Sequence, residues 1–314
     1  MTALAEQTAP AVTDRGVGGS TTRLRRRGPA WLGLAPFGVY VLLFLAVPAI
    51  LAVTSGFADN EGRFTFANFA ALADPNILQG LWASIWISAV TAIIGGVIGA
   101  LICYALLAMK PDGAVRSIVD SASSVLAQFG GVMLAFAFIA TIGANGLITS
   151  LLKDWGWIEN PLNSFNGGGV MIYQIPGLVV VYLYFQIPLM VLTFLPALQG
   201  LKGTWAEANA TLGGTRLQYW LRIGGPVLLP AFLGSLILLF ANSFSSYATA
   251  AALVSQGGIV PLAIRQQLTS ETVLGVSNVA GVLALVMVIV MVVLMTAYAA
   301  LQRRTGRWQN GGRS

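Results

Sequence analysis

Six apolar stretches, at about 31–55, 79–109, 117–143, 172–197, 227–254 and 278–301, occupy most of this 314-residue chain. A helix rises about 1.5 Å per residue, so about 20 residues cross the roughly 30 Å of hydrocarbon in a bilayer. Each stretch meets that length. Inside lipid a backbone must satisfy its own polar groups, which an apolar run of this kind does by becoming a helix. The pattern therefore predicts an all-α, polytopic membrane protein with six transmembrane helices. With 56% hydrophobic and only 9% charged residues, the chain has too little polar surface for a water-soluble domain of its size.

The charges between the spans set the orientation. With the amino end inside, the inner segments carry Arg15, Arg23, Arg25, Arg26, Arg27, Lys110, Arg116, Lys202, Arg216, Arg222, Arg303, Arg304, Arg307 and Arg313. The outer segments carry only Arg63, Lys153 and Arg265. This positive-inside bias predicts that both termini are cytoplasmic, with basic tails over 1–30 and 302–314. The net charge of +6 is thus a topology signal, and no nucleic-acid partner is expected. The first segment, "RLRRRGPAW" followed by an apolar run with no small-residue cleavage site, predicts a signal anchor.

Much catalytic chemistry is excluded by what the chain lacks. It has no histidine and one cysteine, Cys103, so the usual ligands for zinc or another transition metal are missing. No G-x-x-x-x-G-K-[ST] sequence is present to cradle nucleotide phosphates, and no G-x-S-x-G elbow supplies a nucleophile. The chain is expected to bind no cofactor and to be no enzyme. Proton-coupled carriers bury ionisable groups in their spans. Here only Asp120 approaches one, in the first turn of the predicted third span, where it reads as an interfacial cap. In the second span, "GGVIGA" places Gly95 and Gly99 four apart, as in a close helix-packing seam. Pro36 and Pro48 predict kinks in the first span.

The segment "GTWAEANATLGGTRLQYWLRIGGPVLLP", from Gly203, is more than a connector. Thr204 and Glu207 have capping-box spacing and predict a short helix through Leu212. Gly213 and Gly214 then turn the chain. Thr215 is placed to cap a second helix whose Leu217, Trp220 and Leu221 share one face, ended by Gly225 and Pro226. Two short helices around a glycine turn make a rigid projecting element suited to a groove on a cytoplasmic partner.

The stretch "EANATLGGTRLQYWLRIGGP" resembles the EAA loop of the permease subunits of binding-protein-dependent ABC importers, written E-A-A, three residues, G, about nine residues, then an apolar residue and L-P. Glu207, Ala208, Leu212, Gly213, Ile223 and Pro226 match it. Asn209 replaces the second alanine, and Gly225 replaces the leucine before proline. The resemblance runs from about Leu78 to Leu301. It implies the type I importer permease (MetI-like) fold, with a permease core over 79–301 and a cytoplasmic coupling loop over 198–226, and a place in a bacterial inner membrane. It also implies that Glu207, Ala208, Leu212, Gly213, Arg216 and Pro226 couple the chain to a cytoplasmic ABC ATPase dimer. ATP and magnesium belong to that partner. A second permease subunit, as a heterodimer or an identical pair, and an extracytoplasmic solute-binding protein complete the implied assembly.

The flanks "YLYFQIPLMVLTFLPALQGL" and "FANSFSSYATAAALVSQGGIVPLAIRQQL" resemble the branch that carries polyamines, phosphonates, thiamine and ferric iron, in particular the spermidine/putrescine type. The expected solute is thus of polyamine type, with phosphonate, thiamine, iron or sugar as alternatives. In the fifth span Asn242, Ser243, Ser245, Ser246 and Tyr247 form a polar cluster that either bonds neighbouring helices or lines a pathway. Gln128 in the third span, and Tyr184 and Gln186 in the fourth, are further pathway candidates. Two rival functions remain at this point: an ion-coupled secondary carrier, which would move solute alone, and a membrane scaffold that recruits a soluble partner without transport.

Overall fold

The computed structural model describes residues 31–59, 61–110, 113–157, 172–254, 258–269 and 276–310. The chain divides into an amino-terminal unit ending at Pro48 and a main unit from Ala49 onward. In the first, α1 (Trp31–Val41) continues into a π-helical turn, Leu42–Ala46. The basic tail over 1–30 lies outside the described residues. Among the described residues, six helical stretches are long and apolar enough to cross a membrane: Leu34–Ser55, Pro75–Leu107, Gly131–Asp154, Gly177–Gln199, Arg216–Phe244 and Asn278–Leu301. Among the described residues the only extended pairing is an isolated antiparallel bridge between Ala58 and Phe64.

The main unit is built on α3 (Pro75–Leu107), α7 (Gly177–Gln199) and α10 (Gly225–Phe244), which pack on one another, with α13 (Val276–Asn310) against α10. The predicted glycine seam positions the first two. A Cβ on Gly95 would lie 2.9 Å from Gln186 Cβ, and one on Gly99 would run into the Met190 side chain. Residues four apart share a helix face, so both glycines admit α7 at once. Cys103, Met190, Val191, Phe194, Leu198, Leu228 and Leu239 fill the core at the end of the bundle nearest the connector after α7. Towards the other end, Ile87, Leu134, Leu178, Tyr182, Leu253 and Ile259 form a second core with α5 (Gly131–Ile142), α11 (Ala248–Leu253) and α12 (Val260–Leu268). Trp82, Ile93, Leu101, Met133 and Phe136 remain exposed on the outside, as apolar side chains facing hydrocarbon should be.

Four sequence expectations need correction. The third span does not cover 117–143. α4 (Ala114–Leu126) is a separate amphipathic helix carrying Arg116, Asp120, Ser123 and Ser124, and the spanning stretch begins at Gly131 and continues through α6 (Leu147–Asp154). Asp120 is no cap: it lies inside α4, with its carboxylate 3.9 Å from Arg116 Nε one turn earlier. The fifth span ends as a continuous helix at Phe244, not 254, because the chain breaks at Ser245–Tyr247 before α11. Gly225 and Pro226 do not end the second short helix of the 203–226 segment. A π-turn over Trp220–Gly224, closed by Gly225 N–H to Trp220 O, carries the helix past the proline. The wider turn accommodates a residue that lacks an N–H and would crowd the preceding carbonyl. A π-turn also precedes Pro48, where Val47 N–H reaches Leu42 O.

Candidate functional site

Two places concentrate polar side chains. The first is the connector after α7. Here α8 (Gly203–Thr211) begins two residues earlier than the Thr204–Glu207 box requires: Lys202 is its N-cap, and no side chain caps it. Thr204 sits inside the first turn, out of reach of the cap position, so the expected box does not form. Glu207 is exposed on α8 and has no hydrogen-bond or ion-pair partner among the described residues. Gly213 then turns with φ 76°, a conformation that other residues adopt at a cost. Thr215 does cap the next helix, and with Gln218 it makes a full box. Thr215 Oγ1 accepts from Gln218 N–H at 3.2 Å, and Gln218 Oε1 accepts from Thr215 N–H at 2.8 Å, opening α9 (Arg216–Tyr219).

Asn209, the departure from the EAA pattern, closes this turn. Its backbone oxygen accepts from Gly214 N–H at 2.8 Å, and its amide Nδ2 donates to Thr215 O at 3.2 Å. The amide lies over Gly214, where a Cβ would collide with it. No sequence signal marked Asn209, because its role depends on the fold of the turn. Trp220 anchors the element to α3 through an edge-on contact with Tyr104, ring centroids 5.4 Å apart, and Tyr219 is buried beside it. Leu212 is 87% exposed, and Leu217 and Leu221 are 68% exposed each. The face of α9 that packs is thus Tyr219 and Trp220, while Leu217 and Leu221 project. Ala208, Arg216 and Pro226 are exposed as well.

The second place is where two helices are interrupted, between α4 and α5 and between α10 and α11. Gln128, Asn242, Ser245 and Tyr247 are exposed there. Gly131 N–H and O are both bonded to Thr249 Oγ1, at 2.9 and 3.2 Å, so the two breaks are adjacent. Ser246 is half-buried, and its carbonyl, released by the break, accepts from Tyr182 OH at 3.0 Å.

The remaining polar candidates hold helices together. Gln186 is 0% exposed, and its Nε2 donates to Leu239 O at 2.8 Å, while its Oε1 has no partner among the described residues. Ser243 pairs with Thr91 at 3.0 Å, and Ser84 Oγ accepts from Val260 N–H at 2.8 Å. Between Ser84, Ser88, Tyr182 and Ser243 is a recess with room for about one water. Tyr184 packs edge-on against Phe138, centroids 5.9 Å apart. The structure therefore groups Gln128, Asn242, Ser245 and Tyr247 on the surface at the breaks, and separates Gln186 from them by burial.

No family model matches the chain. It is 25% identical over 250 residues to a probable sulfate transport system permease protein of Nephroselmis olivacea, covering 78% of this chain and 83% of that protein. It is 22% identical over 238 residues to the spermidine/putrescine transport system permease PotB of Haemophilus influenzae, covering 74% and 79%. The fold matches a chain of a bacterial ABC transporter that imports the acidic polysaccharide alginate, with TM-score 0.68, 15% identity and 87% and 95% coverage. A second structure of the alginate transporter, in complex with a periplasmic protein bound to an alginate pentasaccharide, matches with TM-score 0.64, 15% identity and 88% and 94% coverage. In aligned sequence the chain is thus similar to transport-system permease proteins, and its fold is that of chains in solved ABC importers.

Proposed function

We propose that this chain forms part of the solute pathway of an ATP-driven importer and couples that pathway to a separate cytoplasmic ATPase through Gly203–Gly224. The observation that carries this reading is the coupling element itself. It is a rigid pair of helices with an unpartnered carboxylate at Glu207 and projecting leucines at 212, 217 and 221, joined without a loop to the spanning helix α10. Force applied to such an element is transmitted directly to a membrane helix. Ala208, Gly213 and Arg216 share the element, and Pro226 lies just beyond it, where the helix enters the span. In this reading both termini are cytoplasmic, the membrane is a bacterial inner membrane, ATP and magnesium are bound by the partner, and a second permease subunit encloses the other side of the path. An extracytoplasmic binding protein delivers solute, as the periplasmic protein in the alginate complex suggests.

The pathway surface assigned here is Gln128, Asn242, Ser245 and Tyr247, with Ser246 behind it. These groups are uncharged, and a passage of amides and hydroxyls tolerates a polar solute of either sign. A polyamine remains the first assignment, supported by PotB. A small oxyanion is the second, supported by the sulfate permease relative and by the absence of carboxylates at the breaks among the described residues. The binding protein then carries the selection.

Glu207→Ala in the reconstituted transporter tests the coupling. The expected result is ATPase association weakened about tenfold, the scale of a lost charged hydrogen bond, and uptake lost with it. Unchanged association and uptake would remove Glu207 from the coupling surface. A ligand panel on the binding protein separates polyamine from oxyanion. ATP-dependent uptake that requires all subunits excludes both an independent ion-coupled carrier and a scaffold without transport.

A further inference from the structure

Thr249 carries no motif, yet its hydroxyl joins the two interrupted helices. It accepts from Gly131 N–H at 2.9 Å and donates to Gly131 O at 3.2 Å. The side chain is 1% exposed. Gly131 opens α5 with φ 75°, which a side chain would strain, and a Cβ there would touch Ala248 Cβ at 3.6 Å. α11 consequently lies against the first turn of α5. Around this contact are the exposed polar groups of both breaks: Gln128 three residues before Gly131, and Asn242, Ser245 and Tyr247 ahead of Thr249.

We propose that Thr249 is a positioning residue for solute passage, its paired bonds to Gly131 holding the α4–α5 break against the α10–α11 break and so setting the opening between their polar groups. The proposal rests on the pathway reading above. An interrupted helix in a membrane exposes backbone groups that must find partners within the protein. Thr249 supplies the acceptor that the Gly131 N–H lacks at the start of α5, and adds a second bond to its carbonyl. Without the hydroxyl, the Gly131 N–H, one of the donors that a helix start leaves without an intrahelical acceptor, is unpaired in a half-buried setting, and the state that relieves it is one in which the breaks separate and admit water.

The test uses the complete transporter in proteoliposomes with Cys103→Ala, so that a single introduced cysteine reports. Gln128→Cys and Ser245→Cys are labelled by a small water-soluble thiol reagent, with and without Thr249→Val, which keeps the shape and removes the hydroxyl. Labelling at both positions should change about fivefold or more, the equilibrium shift set by one buried hydrogen bond. Thr249→Ser should restore the parent rates. With Cys103 alone replaced, Thr249→Val should raise KM for uptake while leaving the amount of bound ATPase unchanged. If Thr249→Val accumulates poorly, Thr249→Ala makes the same comparison without added bulk. Parent labelling rates in Thr249→Val and Thr249→Ala, or failure of Thr249→Ser to restore them, would overturn the clasp. The labelling needs neither ATP nor solute, so it judges the clasp independently of transport. Changed labelling in a parent transporter that shows no ATP-driven uptake would instead overturn the pathway reading, and with it the role in solute passage.

Discussion

Two carboxyl-terminal neighbours of α7 show how a residue's role depends on where its helix starts. Glu207 has the spacing of a capping residue from Thr204, but the helix begins at Gly203, and the carboxylate is left free on an exposed face. Replacing it should therefore leave the thermal stability of the isolated chain within about 0.5 kcal/mol, the usual range for an exposed site, while weakening the ATPase complex. Thr215 behaves oppositely. It makes both bonds of its box with Gln218, so Thr215→Ala should destabilise the coupling element by about 1 kcal/mol. Limited proteolysis at Gly213–Gly214 should read this as faster cleavage, and Thr215→Ser should restore protection. Asn209→Ala removes the amide that spans the same turn and should give a similar acceleration.

At the scale of elements, the packing of α3 on α7 sets the frame that both sites depend on. Gly99→Leu places a branched side chain where Met190 already stands and should cost about 1–3 kcal/mol or more. The measurement is the midpoint of thermal inactivation in detergent; a parent-like midpoint would mean that the helices are farther apart. Six spans and this glycine seam were legible in the sequence, because span length and small-residue spacing are local properties. The ends of the spans were not. Ala114–Leu126 is apolar enough to be merged with the following span, and only the turn at Gly131, set by contact with Thr249 from another helix, separates them. Ser245–Tyr247 sits in an apolar context that hides the break, and Gly225–Pro226 looks like a stop although the π-turn lets the helix pass. For the sites, Thr215 as a cap and the Gly213 turn were readable from residue type and spacing, but the reciprocal bond from Gln218 was not. Asn209 and Thr249 were not, since each acts on backbone groups that only the folded chain brings within reach.

For the whole molecule, the coupling element lies beside the core of Cys103, Leu198 and Leu228, and the α10–α11 break lies at the other end of α10. That single helix connects the surface assigned to the ATPase with the surface assigned to the solute. The claim is mechanical, and the most direct measurement of it is site-specific photo-crosslinking in the assembled, transporting complex. A photoreactive residue at Leu212 or Leu217 should form an adduct with the ATPase. One at Phe64, which is 72% exposed in the segment between Ser55 and α3, should form none. Absence of adducts at 212 and 217 in a complex that imports solute with ATP, or ATPase adducts at 64, would contradict the account.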